Sequence, residues 1–507
     1  MLKWLNQSKK TLFNKNNDDT ETEFKIDDLI KALKPSKDFQ RFEFKTGSTS
    51  CIISYMNTLV NPEFIHRDVL SHLTENAFTS LKEIENLLPI EQKLITDDVK
   101  EIQKKIMTGS IMIQFSEHDS NCLLIPAVTV ESRQVTIPEV EFSVVGPKEA
   151  FVETLDININ LIRKRLPLPQ LHLREIEVGK ISNTRIAVLF IDGIANQENV
   201  NTVIQRLSDI EYDNIIDSSY ITQMISDNKN SPFPQLLDTE RPDRVCAVLT
   251  EGKIVILVDG SPHALYAPIT IVEFFSAFED YFLIWHMASF FRLIRLFAVA
   301  FSVFSTPFYI AILTYHFEML PINLLATIYS SRGNVPFPPV LEVLIMEFVI
   351  ELLREAGARL PSKVGQTIGI VGGIVIGTAS VDAGLTSSVL LIIVALAALA
   401  SFTTPVYQMS NTIRFIRFPF ILFAHLWGFV GIAILFAITI CHLLGLTSLG
   451  RPFIEPIFPP RLTDLKDAFF RMPFNRQAKR PIYQRPEDSN RANSDRLNQK
   501  HDKNKNK

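Results

Sequence analysis

The stretch VGQTIGIVGGIVIGTASV, residues 364–381, contains no charged residue and has a glycine at every fourth position. A helix needs about 20 predominantly apolar residues to cross a hydrocarbon core about 30 Å thick. The stretch therefore predicts a membrane-spanning helix. Its evenly spaced glycines, Gly365, Gly369, Gly373 and Gly377, form a stripe along which a neighbouring helix can approach closely.

Two interpretations of this glycine stripe stay open. The stripe serves close packing inside one subunit, or it lies at an oligomer interface or around a pore. Val371 and Val375 stand between the glycines, where they would form a constriction that closes by dewetting. Asp382 follows, either as an ion-attracting ring or as a solvated loop acid.

Other apolar stretches accompany this one in the second half of the chain. Three are long enough to span: Leu296–Tyr315, in which Pro307 predicts a kink, Leu385–Thr404 and Phe420–Leu446. Leu320–Tyr329 is too short to cross, whereas Val340–Leu360 is long enough but carries six charges.

The number of crossings is open between four and six. Four spans with both chain ends in the cytoplasm put Arg414 and Arg417 in an outside loop. A fifth span over Val340–Leu360 moves these arginines inside and the basic tail outside. An extra crossing or a re-entrant segment would reconcile the two charge signals.

The charged stretch Val340–Leu360 has its own pattern. Glu347, Glu351 and Glu355 recur at every fourth position and so share one helical face. Glu351–Arg354 and Glu355–Arg359 have the spacing of helical ion pairs. This carboxylate face is either a cation-attracting vestibule or pore wall, or the wetted side of an interfacial amphipathic helix.

The fold class that follows is a mixed α/β soluble half in two subdomains, followed by an all-α polytopic membrane domain. We expect a polar disordered arm, two α/β subdomains, a membrane domain and a basic tail disordered at its end, over residues 1–23, 24–130, 131–280, 281–450 and 451–507. The chain begins without the apolar run of a cleavable signal, so we expect the soluble half in the cytoplasm.

Short patterns predict individual elements of the soluble half. Strands are expected at CIISYM (51–56) and IAVLFID (186–192), and helices over most of 63–107 and over 149–166. Hairpins are expected at IMIQF and CLLIPAVTV around HDSN, and at RVCAVL and KIVILVDG around Thr250-Glu251-Gly252. An interfacial helix is expected from Glu279 to Arg295.

Composition and motifs argue against several classes of function. A net charge of −4 with 21% charged residues does not suggest nucleic-acid binding. The four cysteines lie far apart without zinc spacing, and P-loop, HExxH and GxSxG motifs are missing from the sequence. We therefore predict no catalytic residue, no metal site and no cofactor.

A series of short motifs then makes the chain recognisable. In order they are GPKEAF (146–151), NLIRKRL (160–166), DGIA (192–195), SPFPQ (231–235), TERPD (239–243), VDGSP (258–262), EDY (279–281), PFP (336–338), LREAG (353–357), RLP (359–361) and GIVG (369–372). The series resembles the A subunit of GerA-type spore germination receptors over roughly residues 40–470.

The resemblance implies a multi-pass protein of the spore inner membrane, with its N-terminal domain and tail in the cytoplasm. It implies a nutrient receptor formed with a transporter-like B-type subunit and a lipoprotein C-type subunit. It also implies self-association into a homo-oligomer that forms a nutrient-gated path for ions.

Two alternatives to an ion conduit stay open. One is a transporter-like nutrient-binding subunit, although no inverted repeat is evident. The other is a membrane-anchored scaffold, in which Glu240, Arg241, Pro242 and Asp243 form a partner-contact loop. The same four residues also fit a turn or helix start, with Pro242 at the first helical position and the charges solvated.

Overall fold

Two antiparallel sheets come first in the chain, and a group of long helices follows them. The computed structural model describes residues 25–46, 49–75, 78–90, 92–116, 119–127, 138, 141, 145–359, 362–474 and 477–491. The fold class expected from the sequence, a mixed α/β half followed by a helical region, is confirmed.

The first sheet has five antiparallel strands in the order β1-β2-β4-β5-β3. They are β1 (Phe39–Thr46), β2 (Thr49–Met56), β3 (Leu94–Thr96), β4 (Ser110–Gln114) and β5 (Cys122–Pro126). The helices around this sheet are α1 (Ile26–Leu33), α2 (Pro62–Phe64), α3 (Ser71–Glu75), α4 (Leu81–Leu87) and α5 (Val99–Ile106). A π-helical segment (Ile65–Leu70) joins α2 to α3. Ile111 and Ile113 of β4 face one core and Met112 faces the other, so both faces of the sheet are covered.

The second sheet also has five antiparallel strands, in the order β6-β7-β9-β10-β8. They are β6 (Leu171–Val178), β7 (Thr184–Ile191), β8 (Leu237–Thr239), β9 (Ile254–Val258) and β10 (Ala264–Ala267). Its helices are α6 (Leu155–Arg165), α7 (Gln197–Ser208), α8 (Ser218–Ile225) and α9 (Pro242–Glu251), followed by 3₁₀ turns at Ile271–Phe275 and Phe278–Tyr281. Leu189 of β7 packs with α6 and α9 and Val188 packs with α7 and α8, which explains the unbroken apolar run in this strand.

A buried polar joint connects the two sheets. Arg163 of α6 is fully buried and donates hydrogen bonds from Nε and Nη2 to the Asp38 carboxylate at 3.0 and 2.8 Å. The same Nη2 donates to the Ser36 hydroxyl at 2.8 Å, and Asn160 donates to the Thr58 carbonyl oxygen at 2.6 Å. The NLIRKRL motif thus supplies the contacts that fix one subdomain to the other.

The helical region begins directly after the second sheet. Its helices are α10 (Trp285–Tyr315), α11 (Ile322–Ser331), α12 (Pro339–Arg359), α13 (Ser362–Asp382), α14 (Ser388–Ser401) and α15 (Tyr407–Gly445), with a 3₁₀ turn at Phe317–Met319. A short hairpin of β11 (Thr447–Ser448) and β12 (Arg451–Pro452), then α16 (Leu462–Phe469) and a 3₁₀ turn at Ile482–Gln484, follow it. Among the described helices, α10 and α15 are long and apolar enough to cross a membrane, by length and composition.

Helix α15 folds back on itself at Gly428, where φ is 58° and ψ is −137°. The Thr412 hydroxyl donates to the Pro232 carbonyl oxygen at 2.6 Å, and His442 lies 2.8 Å from the hydroxyl of the adjacent Ser231. A straight helix would hold Thr412 and His442 about 45 Å apart, at 1.5 Å per residue. The segment is therefore a helical hairpin with limbs 407–427 and 429–445.

The limbs of α15 define two ends of the helical region. We call the end next to the second sheet the proximal end and the end that contains Gly428 the distal end. Helix α10 runs from proximal to distal, since the Tyr315 hydroxyl donates to the carbonyl oxygens of His425 and Leu426 at 2.9 and 3.0 Å.

The remaining helices alternate in direction between these ends. Helix α12 starts distally, α13 returns to the distal end where Gly384 lies against Asn334, and α14 starts there with Ser387 3.3 Å from the Tyr309 hydroxyl. Helix α14 ends proximally, where Ser410 donates to the Ser401 carbonyl oxygen at 3.0 Å. With the two limbs of α15 the chain makes six passes, so it enters and leaves at the proximal end.

Several predicted elements are confirmed and others are wrong. The strands β2 and β7 and the β4–β5 hairpin lie where the sequence predicted them. The second predicted hairpin is wrong, because RVCAVL belongs to helix α9, with Pro242 in its first turn and Gly252 ending it at φ 99°. The helix predicted over 149–166 starts only at Leu155. The stretch 63–107 is mostly helical, as predicted, and also contains the three-residue strand β3.

Three predictions about the helical region need correction. Arg414 and Arg417 lie inside helix α15, which starts 13 residues before the predicted span at Phe420. The interfacial helix predicted from Glu279 to Arg295 starts only at Trp285, after a 3₁₀ turn, and runs into the first apolar span without a break. The described part of the predicted tail packs back on the second sheet, with Arg480 donating to the Thr250 carbonyl oxygen at 2.8 Å.

Candidate functional site

The carboxylates of α12 meet arginines of α15 inside the helical region. Because α12 and the first limb of α15 are antiparallel, their polar side chains pair level by level. We call this contact the charged seam; it comprises Glu347, Glu351 and Arg354 of α12 and Asn411, Arg414 and Arg417 of α15.

The deepest level of the charged seam is the pair Glu347–Arg417. Arg417 Nη1 donates to Glu347 Oε2 at 2.7 Å, and both side chains are 2% exposed. Arg417 Nη2 also donates to the Ser302 hydroxyl of α10 at 2.5 Å and to the Ala397 carbonyl oxygen of α14 at 3.3 Å. One guanidinium therefore ties four helix segments together.

The next level of the charged seam lies nearer the proximal end, and its side chains are more exposed to solvent. Glu351 is 3.0 Å from Arg354 on its own helix and 3.6 Å from Arg414, and its side chain is 24% exposed. Arg354 also donates to the Asn411 side-chain oxygen at 3.2 Å. The charged seam thus opens gradually toward the second sheet.

Two further carboxylates of α12 lie outside the charged seam. Glu355 pairs with Arg359 at 2.6 Å on the surface, as its spacing predicted. Glu342 was missed by the sequence analysis; it is fully buried, 3.1 Å from Arg332, and accepts a hydrogen bond from the Ser387 backbone at 2.7 Å. Its position in an apolar stretch was the only available signal, since it lies outside the four-residue spacing.

The glycine stripe is only partly used by this chain. A Cβ built on Gly373 would meet no atom within 4 Å, and one on Gly377 would lie 3.6 Å from Leu391 of α14. Gly372, which is outside the stripe, faces Leu353 of α12 at 3.0 Å. Val375 is 56% exposed. The surroundings of Gly365, Gly369 and Val371 lie outside the described residues.

The remaining predicted residues fall in two other places. Asp382 is exposed at the distal end of α13. Glu240, Arg241 and Pro242 are buried, and Asp243 pairs with Arg241 at 2.8 Å. The helix start at Pro242 is confirmed, but the solvated charges expected there are wrong, because these residues anchor α9 within the fold.

A proximal joint connects the second sheet to the helices. Asp280 is 1% exposed and lies 3.4 Å from Arg292 and 3.2 Å from Arg295, both in the first turns of α10. The SPFPQ loop contacts both limbs of α15 through Ser231 and Pro232, as described above. The second sheet is therefore in direct contact with both α10 and α15.

A cavity of about 950 Å³ lies beside this joint, between α9, α16 and the segment 477–491. Burial raises the pKa of the lining phenols Tyr266, Tyr281 and Tyr483, so they stay protonated at neutral pH and act as hydrogen-bond donors. Tyr483 donates to Glu273 at 3.2 Å, and Glu273 also pairs with Lys253. Much of the charge in the cavity is thus compensated within the chain.

The described residues offer few candidates for metal binding or for a reactive thiol. Within the part of the chain that the structure describes, no group of three or more His, Cys, Asp or Glu residues could hold a metal ion. Cys51, Cys122 and Cys246 are buried free thiols, and burial raises the pKa of Cys246 to about 12.

These features define a class: a two-sheet α/β half joined by buried polar contacts to a helical region that has membrane-length apolar helices and internal ion pairs. The family described as Bacillus/Clostridium GerA spore germination protein matches residues 27–483. The chain therefore belongs to the GerA family, which confirms the resemblance seen in its motifs.

Two relatives agree with this assignment, and one solved structure also aligns with part of the chain. The chain is 51% identical over 472 residues to spore germination protein GerQA of Bacillus cereus, covering 93% of this chain and 95% of that protein. It is 36% identical over 478 residues to spore germination protein KA of Bacillus subtilis, covering 93% and 88%. The crystal structure of the N-terminal domain of the A subunit of the Bacillus megaterium spore germinant receptor GerK3 aligns with 47% of this chain and 91% of that chain, at 26% identity and a TM-score of 0.37.

Proposed function

We propose that the chain is the A subunit of a spore nutrient-germinant receptor and forms a nutrient-gated ion conduit as a homo-oligomer. It would work in the spore inner membrane with a transporter-like B-type subunit and a lipoprotein C-type subunit. Its membership of the GerA family and the germination proteins among its relatives support this role.

The observation that carries the proposal is the outward face of α13. Gly373 has open space beside it, and the neighbouring Ile374 and Val375 are 62% and 56% exposed. Glycines in a membrane helix favour close approach of another helix. Since no atom of the described residues lies within 4 Å of a Cβ on Gly373, the α13 helices of neighbouring copies are the natural partners and would surround the conduit.

The six helical passes support a membrane topology with both ends in the cytoplasm. The first limb of α15, 21 residues over 407–427, is about 31 Å long at 1.5 Å per residue, which matches a hydrocarbon core of about 30 Å. In this topology the hairpin at Gly428 would be the extra crossing that reconciles the two charge signals. The positive tail then lies on the cytoplasmic side with the two sheets.

The proximal joint supports coupling rather than simple anchoring. Ser231 and Pro232 contact α15, which carries part of the charged seam, and Asp280 pairs with arginines of α10. Helix α12, the other side of the seam, leads directly into α13. A signal that reaches the second sheet would therefore reach the proposed conduit through continuous contacts. A scaffold with a passive anchor would not need these buried ion pairs.

The test is nutrient-triggered K⁺ release from spores that carry Gly373→Leu. We expect altered oligomer size or altered K⁺ release, because leucine would fill the space that another α13 occupies. Gly357→Leu is the matched control, since a Cβ there also meets no atom within 4 Å but lies on α12 outside the stripe. Normal assembly and normal release in the Gly373 variant would contradict the proposal.

A further inference from the structure

The cavity of about 950 Å³ beside the proximal joint is lined by three buried side chains that can donate further hydrogen bonds. They are Arg244 of α9, Lys253 before β9 and Tyr266 of β10, which are 7%, 1% and 1% exposed. The Arg244 guanidinium carbon and Lys253 Nζ lie 5.6 and 5.1 Å from the centre of the Tyr266 ring, so both cations lie close to one phenol. We call these three side chains the donor cluster.

Each member of the donor cluster keeps donors that the described part of the chain does not use. Arg244 donates from Nη1 to Glu141, and its Nε and Nη2 form no hydrogen bond with a described residue. Lys253 Nζ donates to Glu273 alone among the described residues, and the Tyr266 hydroxyl bonds to none of them. Burial raises the pKa of Tyr266, so the hydroxyl keeps its proton. Buried donors usually have acceptors, so the donor cluster points to a ligand that supplies oxygen atoms.

The arrangement of these donors favours a carboxylate. Nε and Nη2 of Arg244 form one edge of the planar guanidinium, and this fork matches the two oxygen atoms of a carboxylate. Arg244 and Lys253 each face one carboxylate of the chain already, so a dianion such as phosphate would bring a negative charge without a partner. A single additional charge has a partner in Lys479, a lining residue that forms no ion pair with the described residues.

The rest of the wall suits an apolar body. Val248 of α9, Phe278 of the 3₁₀ turn and Ala468 of α16 line the cavity. Its volume is within the range of sites that hold small organic molecules, about 300–1,000 Å³. Phe278 belongs to the same 3₁₀ turn as Asp280, which pairs with the arginines of α10, so a bound molecule would lie next to the proximal joint.

We propose that this cavity binds a small organic carboxylate with an apolar body, and that Arg244, Lys253 and Tyr266 hold its carboxylate group. The binding site goes beyond the proposed conduit and does not depend on it, because its residues lie in the second subdomain and in the chain after α15. Its position on the cytoplasmic side rests on the proposed six-pass topology. In that topology the ligand reaches the cavity from the interior of the spore.

The first test uses two carboxylates with different apolar bodies, planar 2-naphthoate and flexible hexanoate. Isothermal titration calorimetry measures their binding to the detergent-solubilised full chain. We expect saturable binding at one site per chain, and binding of the matching amides, 2-naphthamide and hexanamide, that is weaker by about tenfold or more, because hydrogen bonds to a charged group are the stronger ones. Absence of binding of both carboxylates at millimolar concentration would overturn the proposal, as would equal binding of each carboxylate and its amide.

Tyr266→Phe tests the donor cluster itself, because it keeps the aromatic ring beside the two cations and removes only the hydroxyl. It should weaken carboxylate binding about tenfold, the effect of one hydrogen bond to a charged group. Tyr220→Phe is the matched control, since Tyr220 lies on α8 and packs on the opposite face of the second sheet. Equal affinity of the wild-type chain and Tyr266→Phe would overturn the assignment of the site.

Arg244→Lys tests the fork. It keeps a positive charge beside Glu141 but offers no pair of parallel N–H groups, so the preference for a carboxylate over its amide should fall about tenfold. A purely structural role for Arg244 would lower both affinities together and leave this preference unchanged, which would contradict the proposed contact. If thermal unfolding shows that Arg244→Lys does not fold, the Tyr266→Phe measurement decides the proposal by itself.

Failure of the binding site and failure of the conduit give different results. A purified receptor complex that passes no K⁺ after nutrient is added, while the chain still binds 2-naphthoate or hexanoate, contradicts the conduit and supports the binding site. A complex that passes K⁺ after nutrient is added, while the chain binds neither carboxylate, overturns the binding site and leaves the conduit in place.

Discussion

At the residue scale, the most informative side chains are arginines. Arg163, Arg292 and Arg417 are among the largest fully buried side chains of the described residues, and each has a carboxylate partner. An arginine in an apolar stretch of sequence indicates that a carboxylate or other hydrogen-bonding partner lies nearby in the fold, because burying an unpaired charge costs too much free energy. It does not tell which carboxylate is the partner, since that depends on how distant segments pack.

The carboxylate face shows the same limit. The spacing of Glu347, Glu351 and Glu355 correctly predicted a shared face and the Glu351–Arg354 and Glu355–Arg359 pairs. It missed Arg414 and Arg417, which were expected in a loop. Cation attraction by these carboxylates stays a prediction, and in this structure the charge of Glu347 is compensated.

The joint between the two sheets should depend on Arg163. Arg163→Leu should lower the free energy of unfolding by about 3–5 kcal/mol, because it leaves Asp38 buried without its cation. Arg185→Leu, which removes the partly exposed pair with Asp156, should cost at most about 1 kcal/mol. Urea denaturation of the detergent-solubilised chain measures both, and equal losses in the two variants would show that burial of the pair is unimportant.

His172 should make the stability of the soluble half depend on pH. Burial lowers the pKa of His172 in the folded state, although Asp192 opposes this. An unfolded histidine titrates near pH 6.5, so below about that pH the unfolded state binds more protons and stability falls. His172→Gln should flatten the decrease in urea midpoint between about pH 7 and pH 5, and exposed His66→Gln should not. An unchanged slope in His172→Gln would assign the effect elsewhere.

At the scale of elements, the sequence predicted best where a pattern has one interpretation. Strand β7 and the β4–β5 hairpin combine apolar runs with clear turn signals. The run RVCAVL is too short to distinguish a buried strand from a buried helix by periodicity. Pro242 before it and Gly252 after it were the usable signals for α9, because proline favours a helix start and glycine a helix end.

The hairpin in α15 was only partly predictable. The stretch 420–446 was expected to be long, tilted or broken, and the structure breaks it at Gly428. The residues on both sides of Gly428, Trp427 and Phe429, are apolar, so the sequence contains no polar segment that would indicate the turn. A single glycine suffices because its φ of 58° with ψ of −137° is a backbone conformation that residues with a Cβ rarely adopt.

Gly428 should therefore be required for the folded helical region. Gly428→Ala should destabilise the chain by about 1–3 kcal/mol from backbone strain, and its Cβ would also press on His316 Nε2 at 3.0 Å. Gly445→Ala is the control, because a Cβ there meets no atom within 4 Å. Thermal stability in detergent reports both, and a Gly428 variant as stable as the control would argue against the tight turn.

At the scale of the whole molecule, the six passes place the second sheet and the chain after Gly445 on one side. The sequence left the number of crossings open because the hairpin at Gly428 adds a helical pass that leaves no polar loop in the pattern. Cysteines introduced at Asp382 and at Gly450 should react with a membrane-impermeant maleimide from opposite sides of oriented vesicles. Labelling of both from the same side would contradict the six-pass topology.

The most direct test of the proposed conduit is the K⁺ current across a planar bilayer that contains the purified receptor complex with its B-type and C-type subunits. We expect discrete current steps only after nutrient is added, and altered or absent steps when the A subunit carries Gly373→Leu. Absence of nutrient-dependent current from a complex that still binds nutrient would contradict the conduit, as would a current that persists when the A subunit is left out.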